Sequence, residues 1–328
     1  MKTHLHNLVG KGILLLLICT YSLNISYSQS LLFGNGNVKV ETGINIGPSF
    51  FLGDLGGNRG KGTPFLKDLN LGLTKMMKGV FLTVYPSRWL GLRIAADYTY
   101  LEGRDNIIST NGIDELWRKQ RNLDFRSNVW EVYGCVEFFP TTLINMESEF
   151  EPRIRPYGLL GLGIFHFNPQ GSLTDANGNT SWYYLQPLRL EGEGMPEYPN
   201  SKPYKLTQMN IPMGGGLKYY LSERINLSME VLYRKTFTDY IDDVSKNYID
   251  PKYFVKYLSP QDAIIATKIA DKFLPIIYPG MIRYPPGTQR GDNKNADTYF
   301  SGILKFGIRL GPLQGSIQTR QTRCPLVY

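Results

Sequence analysis

The chain holds few of the residues that build metal, redox or hydrolytic centres. Its 328 residues include three cysteines, too few for a disulfide-stapled scaffold or a cysteine zinc site. His4 and His6 lie near the N-terminus, which leaves His166 as the histidine of the remaining chain. No cluster of metal-ligating residue types is visible in the sequence, and we expect neither a metal ion nor a cofactor.

Charge is also scarce, and it follows no pattern typical of a nucleic-acid interface. Charged residues make up 20% of the chain, the net charge is +8, and Lys and Arg are scattered. A basic stripe with interleaved aromatics is missing, so we expect no nucleic-acid partner. The glycine-rich stretch 56–63 lacks the phosphate-loop spacing, and 161–163 lacks the third glycine of a dinucleotide fingerprint. No small-molecule substrate is therefore evident.

After residue 28 the sequence has no apolar run long enough for a membrane-spanning helix, which takes about 20 residues. The first 28 residues instead resemble a cleaved secretory signal peptide. Lys2 and Lys11 precede the apolar run 13–18, and a small-x-small triplet ends at Ser28. An uncleaved anchor is disfavoured because the apolar run is short, and lipidation at Cys19 is disfavoured because a bulky residue precedes it. We expect a signal peptide over residues 1–28 and export of the mature chain.

The sequence is rich in aromatic residues, with 22 Tyr and 16 Phe, and in segments where apolar and polar residues alternate. A period of two is typical of strands with two different faces. The clearest example has Val38, Val40 and Ile44 on one face and Lys39 and Glu41 on the other. The eight segments of this kind are 38–46, 80–84, 90–100, 125–139, 154–168, 207–221, 225–234 and 298–310.

The alternation predicts an all-β fold, an eight-stranded antiparallel transmembrane β-barrel over residues 29–310. Strands of about 9–11 residues cross a bilayer when tilted, with one face toward lipid and one toward the interior. A soluble sandwich would turn the charges of the polar face toward water. In a narrow barrel they have to pair and leave no open pore, because an unpaired buried charge is costly. The predicted lumen charge network is Lys39, Glu41, Arg93, Asp97, Glu131, Glu137, Lys218, Glu230, Arg234, Lys305 and Arg309.

The lengths of the connections predict the orientation of the barrel. Links of a few residues follow the second and sixth strands, and a link of moderate length, 140–153, follows the fourth. Outer-membrane barrels show such an alternation, with short turns in the periplasm and long loops outside. We expect both ends of the mature chain in the periplasm, including a C-terminal tail over residues 311–328. The predicted extracellular loops are 51–75, 102–124, 169–206 and 240–297.

The last of these loops contains the start signal of a short helix. Ser259 provides a capping hydroxyl, and Pro260 suits the first helical position. Apolar residues then repeat every four positions up to Phe273, and Pro275 ends the run. We predict a short amphipathic helix that packs against the barrel rim or another loop.

Three loop stretches carry charges where the first, fourth and seventh strands meet the outer rim. A glycine and an aspartate in the first stretch suit a tight turn. Arginines of the second and aspartates of the third lie at the same rim, so we predict that they form an ion-pair cluster that orders the loops. The residues of this motif are Gly53, Asp54, Arg121, Arg126, Asp239, Asp242 and Asp243.

The same stretches carry a resemblance to a known family. F-F-L-G-D-L over 50–55, R-N-L-D-F-R-S-N over 121–128 and T-F-T-D-Y-I-D-D-V-S over 236–245 resemble the PorG-like outer-membrane β-barrel family of Bacteroidetes. The similarity covers most of the mature chain, and the two longest loops depart from the compact family pattern. The resemblance implies a non-enzymatic outer-membrane component of the type IX protein secretion system. It also implies periplasmic secretion-ring proteins as partners, and we expect the 140–153 link and the two termini to contact them. Outer-membrane lipid is the expected partner of the apolar barrel wall.

Three other functions stay open at this point. They are a small-solute channel, a surface-adhesion barrel that uses its long loops, and an outer-membrane enzyme that acts on lipid through His166. The paired interior charges disfavour the channel. A rim position is the simpler interpretation of His166, because Phe165 and Phe167 flank it on the same strand. A paralogue of the family without a secretion role is a further alternative.

Overall fold

The computed structural model describes residues 38–55, 71–108, 112–144 and 152–310 of the chain. Several sequence predictions lie outside these residues. They are the signal peptide over 1–28, the tail over 311–328, the glycine-rich stretch 56–63 and the acidic side chains at 147, 149 and 151 of the link after the fourth strand. The described part contains all eight predicted barrel strands.

Ten strands run through the described residues. They are β1 (Lys39–Leu52), β2 (Lys75–Tyr85), β3 (Leu90–Arg104), β4 (Asp124–Phe138), β5 (Ile154–His166), β6 (Gln170–Thr174), β7 (Thr180–Tyr184), β8 (Thr207–Tyr220), β9 (Ile225–Thr236) and β10 (Thr298–Leu310). All except β6 and β7 pair antiparallel with two neighbours, and the pairing of β1 with β10 closes the ring. The predicted eight-stranded antiparallel barrel is confirmed.

The connections divide the barrel into two different ends. Turns over 86–89 and 221–224 and the link 139–153 lie at one end, which we call the short-turn end. The links 53–74, 105–123, 167–206 and 237–297 lie at the other, the long-loop end. Short and long links alternate around the ring, as the sequence predicts.

The outer wall of the barrel is apolar. Ile94 in β3, Leu162 in β5 and Met229 in β9 are 63%, 63% and 65% exposed, although water is a poor solvent for all three side chains. A continuous exposed apolar surface of this extent is unusual on a soluble monomer. It is the lipid-facing surface of a transmembrane barrel, the architecture of bacterial outer-membrane proteins.

Aromatic side chains border this apolar band at both ends. Toward the long-loop end the rings of Tyr98 and Trp130 lie 4.6 Å apart, and those of Phe50 and Phe300 stack at 4.8 Å. Toward the short-turn end the wall carries Phe138. Trp130 and Phe138 belong to the same strand and lie about 26 Å apart along it, and less across a membrane because the strand is tilted. An apolar band of about 25 Å between aromatic girdles is typical of outer-membrane barrels.

The described parts of the four long links fold together over the long-loop end, in a structure that we call the loop cap. It contains the helices α1 (Ile113–Arg121), α3 (Lys252–Tyr257) and α4 (Pro260–Ala270), whereas α2 (Pro140–Ile144) lies at the short-turn end. β6 and β7 form a hairpin that extends from β4 through a bridge between Arg126 and Gln170. None of the helices in the described ranges is long and apolar enough to cross a bilayer.

The loop cap has a hydrophobic core that is continuous with the barrel interior. Its buried members come from inward positions of the strands and from all four long links. They are Leu55, Leu101, Leu123, Phe125, Val129, Phe165, Phe167, Leu185, Leu188, Leu190, Met195, Tyr204, Ile241, Val244, Ile249, Phe254, Ala263, Ala266, Ile269, Ala270 and Tyr299. Full burial of one Leu or Phe side chain contributes roughly 1.5–3 kcal/mol. The described parts of the long links are therefore packed structure.

The helix predicted in the last loop is present and ends earlier than expected. The Asp262 amide donates to the Ser259 hydroxyl at 3.1 Å, which is the predicted cap. Asp271 is extended, so Phe273 lies beyond the helix. The sequence did not predict α1, α3 or the β6–β7 hairpin. Elements of five to nine residues are too short to show a periodic pattern, and tertiary packing decides their structure.

We expect Ile94→Arg to destabilise the barrel by about 2–4 kcal/mol, because the substitution places a charge in hydrocarbon near the middle of the wall. The measurement is the free energy of unfolding in urea after refolding into lipid vesicles. Ile94→Leu is the matched control and should cost less than about 1.5 kcal/mol. Equal stability of the two variants would show that this face does not meet lipid.

Candidate functional site

Nine of the eleven charges predicted for the interior point into the barrel and are at most 3% exposed. They occupy alternate positions of their strands, opposite the lipid-facing residues. We call these nine residues the lumen network. They are Glu41, Arg93, Asp97, Glu131, Glu137, Lys218, Glu230, Arg234 and Lys305.

Arg93 lies at the centre of the lumen network and bridges two carboxylates. Its Nε donates to Glu137 Oε1 at 2.5 Å, and its Nη1 and Nη2 donate to the two carboxylate oxygens of Glu230 at 3.0 and 2.8 Å. The Tyr157 hydroxyl also donates to Glu230, at 2.6 Å. Lys305 Nζ lies 3.6 Å from Glu137 and 3.5 Å from Glu230. Bidentate guanidinium–carboxylate pairing is among the strongest hydrogen bonding that proteins use.

A second group lies nearer the short-turn end, around Lys218. Its Nζ donates to Glu41 Oε1 at 2.8 Å and to the Tyr85 hydroxyl. Asn226 Nδ2 donates to the other Glu41 oxygen at 2.8 Å. The Tyr85 hydroxyl donates in turn to Glu137 at 3.3 Å, which joins this group to that of Arg93. Both oxygens of Glu41 are thus satisfied inside the barrel.

A third group lies nearer the long-loop end, around Arg234. Its Nε donates to Glu131 at 3.1 Å, and its Nη2 donates to Asp97 at 3.3 Å. The remaining oxygens of these carboxylates accept from side-chain amides. Asn210 Nδ2 donates to Glu131 at 2.6 Å, and Asn45 Nδ2 donates to Asp97 at 2.9 Å. Side-chain amides therefore satisfy the carboxylate oxygens that Arg234 does not contact.

The other two predicted interior charges lie outside this network. Lys39 and Arg309 are half-exposed near the short-turn end, and Arg309 lies over the Tyr220 ring at 4.1 Å. The expectation that they belong to the enclosed network is therefore wrong, because strand ends are reached by water. The structure adds one buried cation that the sequence did not point to. Arg155 lies 4.5 Å from the same Tyr220 ring and donates to the Pro152 carbonyl at 3.2 Å.

Aromatic rings fill the space between the charges. Lys305 Nζ lies 4.3 Å from the centre of the Phe81 ring, and the guanidinium of Arg234 lies 5.1 Å from that of Tyr299. At the short-turn end the ring of Phe139 packs against Tyr157 at 5.3 Å. Since the charged members are almost fully buried, solvent does not reach them between the described strands. The arrangement fills the interior between the described strands with paired charges and aromatic rings.

The rim motif is brought together in the loop cap, with ion pairs that differ from those predicted. Arg121 donates to both oxygens of Asp105, at 2.8 and 3.0 Å. It also donates to the carbonyls of Asp54 and Arg290, at 2.6 and 2.7 Å. Arg121 therefore ties three long links together. Its carboxylate partner, Asp105, lies 16 residues earlier in its own link and was missed by the sequence reasoning.

Arg126 contacts the β6–β7 hairpin and does not pair with the rim aspartates. Its Nε donates to Gln170 at 2.9 Å, and its guanidinium lies 4.1 Å from the centre of the Trp182 ring. Arg126 lies on the outward side of β4, as the alternation of that strand requires. The prediction that Arg126 pairs with the aspartates after the seventh strand is therefore wrong.

The rim aspartates accept hydrogen bonds from backbone amides and a tyrosine. Asp242 accepts from the amides of Leu55 and Val244 at 3.1 and 3.0 Å. Asp243 has a φ of 62° and accepts from the Tyr204 hydroxyl at 2.6 Å. Asp54 accepts from the Asp292 amide at 2.7 Å. These contacts join the first, third and last long links.

Asp297 explains why the rim motif has a glycine at position 53, and Glu191 is the partner of another rim cation, Arg290. A Cβ on Gly53 would lie 2.2 Å from Asp297 Oδ1, so a side chain there would displace that carboxylate. Arg290 donates to Glu191 at 2.8 Å and to the Asp243 carbonyl at 2.5 Å. Asp297, Glu191 and Arg290 carried no sequence signal, since each lies in a long link without periodicity.

His166 lies at the outer surface of the barrel. Its Nδ1 is 3.0 Å from the Thr207 hydroxyl, and its register partner on β4 is Trp130, a member of the aromatic girdle. This is the rim position that the sequence favours. Within the described ranges, no three or more His, Cys, Asp or Glu residues are arranged to hold a metal ion.

Comparisons with known proteins return only distant structural likeness. No protein-family model and no curated protein matches the chain. Among solved structures, Ail, the attachment invasion locus protein of Yersinia pestis, has 10% identity and a TM-score of 0.34 over 83% of this chain and 99% of its own. A major outer membrane protein from Thermus thermophilus has 11% identity and a TM-score of 0.35 over 83% and 99%. The outer membrane protein OprG from Pseudomonas aeruginosa has 11% identity and a TM-score of 0.34 over 84% and 99%.

We expect Arg93→Met to cost about 3–5 kcal/mol, because it leaves Glu137 and Glu230 as buried charges with too few cations. The free energy of unfolding in lipid vesicles measures the loss. Adding Glu230→Gln to Arg93→Met should restore much of it, because the excess negative charge is then removed. Lys39→Met is the control at the half-exposed strand end and should change stability by about 1 kcal/mol or less. A loss no larger for Arg93→Met than for Lys39→Met would contradict the enclosed network.

Proposed function

We propose that the protein is a non-enzymatic barrel of the outer membrane that anchors partner proteins and does not conduct solutes. The observation that carries this proposal is the lumen network. Its paired charges and the surrounding rings fill the interior, so the barrel offers a lipid-facing wall and two ends for contacts. An anchoring role needs a rigid body held in the membrane, and the enclosed ion pairs support such a body.

The orientation follows from the connection lengths. Short turns of outer-membrane barrels face the periplasm and long loops face outward. In this orientation the loop cap is extracellular, and the described residues that a periplasmic partner could reach include the turns 86–89 and 221–224 and the region of α2. The Thr142 hydroxyl of α2 donates to the Arg88 carbonyl at 2.9 Å, which joins α2 to the turn 86–89.

The partners in this proposal are periplasmic ring proteins of the type IX secretion system. The support is the resemblance of the three loop stretches to the PorG-like family. In the loop cap these stretches contact one another, because Arg121 donates to the Asp54 carbonyl and Asp242 accepts from the Leu55 amide. The outer-membrane barrel does not depend on the type IX role.

Affinity purification from detergent-solubilised outer membranes tests the partner proposal. We expect the tagged full chain to recover periplasmic ring proteins. Charge reversal at exposed residues of the short-turn end, Arg88→Glu with Glu223→Lys, should reduce that recovery severalfold. Lys268→Glu, an exposed charge of the loop cap, is the matched control and should leave recovery unchanged.

Absence of ring proteins from the purified wild type would contradict the secretion role. Equal recovery with the short-turn and loop-cap variants would contradict the surface proposed for the contact. Recovery of an extracellular ligand that depends on Lys268 would favour the adhesion alternative.

A further inference from the structure

The loop cap contains four aspartates that lie close enough to interact electrostatically, two of them buried and two half-buried. We call Asp54, Asp239, Asp242 and Asp297 the carboxyl cluster. Asp242 and Asp297 are 0% and 1% exposed, and the other two are half-buried. Asp54 belongs to the first long link, and the other three belong to the last. The carboxyl cluster therefore lies where the two links meet above the barrel.

Backbone amides satisfy part of the carboxyl cluster and leave two buried oxygens, Asp239 Oδ2 and Asp297 Oδ1, without a hydrogen-bond partner in the described part of the chain. Asp242 uses both oxygens for amides, and Asp297 Oδ2 accepts from the Ile241 amide at 2.8 Å. Asp297 Oδ1 is buried and has no hydrogen-bond partner among the described residues. It points toward Gly53, the neighbour of Asp54. A buried carboxylate oxygen without a donor is costly unless it carries a proton or binds one from a neighbour.

Two further acids, Asp243 and Glu193, lie next to the carboxyl cluster, and Asp243 directly follows Asp242 in the chain. Asp243 Oδ1 accepts from Tyr204, whereas Asp243 Oδ2 and Glu193 Oε1 are buried without a partner in the described structure. Asp243 and Glu193 are 1% and 3% exposed. Two acids from the third and last links thus repeat the arrangement of the carboxyl cluster.

The cations that face these acids are already engaged. Arg121 is paired with Asp105, and Arg290 is paired with Glu191. Lys246 donates its Nζ to the Asn200 carbonyl at 2.6 Å. Other titratable groups that face the acids are Glu191, Asp292 and Tyr240. The facing acids therefore outnumber the facing cations, and they cannot all be ionised at once at moderate cost.

Burial and repulsion between the acids both raise the pKa values of these carboxyl groups. Burial, together with the charge of Asp242, raises the pKa of Asp239 to about 9. Burial next to Asp243 raises the pKa of Glu193 to about 8, and burial raises the pKa of Asp243 to about 7 against the opposing effect of Arg290. The pKa values of Asp242 and Asp297 are also raised, by burial first and neighbouring aspartates second.

We propose that the carboxyl cluster is a proton-operated lock that holds the first and last long links together over the barrel when its acids are protonated, and loosens them when the acids ionise. An acid that is more easily protonated in the folded state stabilises that state at low pH. This stabilisation is lost as the pH rises from the ordinary carboxyl pKa of about 4 through the folded values. The loss is on the order of tenfold in the opening equilibrium per pH unit for each proton released. The lock is independent of the proposed secretion role.

Limited proteolysis of the full chain in detergent between pH 6 and 9.5, with a chelator present, tests the lock. The neutral variant combines Asp239→Asn with Asp297→Asn, and Asp262→Asn is the matched control at an exposed position of the last link. At each pH the cleavage rate of the long links in the wild type is divided by the rate in the neutral variant. This ratio should rise about tenfold or more between pH 6 and 9.5. The control should follow the wild type, and the heat resistance of the barrel should not change.

If the ratio of wild-type cleavage to neutral-variant cleavage stays constant with pH, the lock is overturned. Loss of the pH dependence on replacing the chelator by calcium would also overturn it, because a metal would then neutralise the acids. If the neutral variant does not fold, amide exchange in the wild type provides the second measurement. The amides of Leu55, Ile241 and Val244 bond to the carboxyl cluster. Their protection, corrected for the intrinsic effect of pH, should fall between pH 6 and 9.5, and unchanged protection would contradict the proposal.

Discussion

A charge enclosed in a narrow barrel cannot return to water, and the interior of this protein is organised by that constraint. Removing an ion from water costs several kcal/mol even after relaxation, and good geometry with complete hydrogen bonding has to offset it. Arg93 meets two carboxylates, and Glu41 meets Lys218 and Asn226. The wall can be apolar on its outer side because the charges of the inner side pair with one another.

The loop cap extends the same solution beyond the membrane. Phe165 and Tyr299 point inward from the strands and belong to the core that the long links complete. Above them, Arg121 ties three links through one carboxylate and two carbonyls. The loop cap therefore depends on the barrel strands for part of its core, and it covers the long-loop end of the barrel. The long links are structural parts of the molecule, whatever they bind.

The sequence predicts the parts of this structure that depend on local pattern. Alternation identifies the strands and the inward position of Arg93, and a capping serine identifies the start of α4. The partners across the lumen depend on strand register, which no single strand reveals. Asn210 reaches Glu131 from 79 residues away, and a lone asparagine on a strand gives no hint of it. The fifth strand is apolar on both faces, so its buried Arg155 also remained hidden.

Loop contacts were the least predictable part of the site. The motif residues Arg121 and Asp242 do lie at one rim, yet each found a different partner from the one expected. Backbone amides and carbonyls compete there with charged side chains, and their positions follow from the folded path of each link. Acids such as Glu191 and Asp297 become noteworthy only through burial, which the sequence of a long irregular link does not encode.

Electrical recording in planar lipid bilayers tests the central claim, that matched charges fill and close the barrel. Purified wild-type protein inserted from detergent should give no stepwise current in concentrated potassium chloride across the usual voltage range. Insertion would be verified separately by protection of the barrel strands from protease. Stable current steps that scale with salt concentration would show a continuous aqueous path and would contradict the sealed interior on which the account depends.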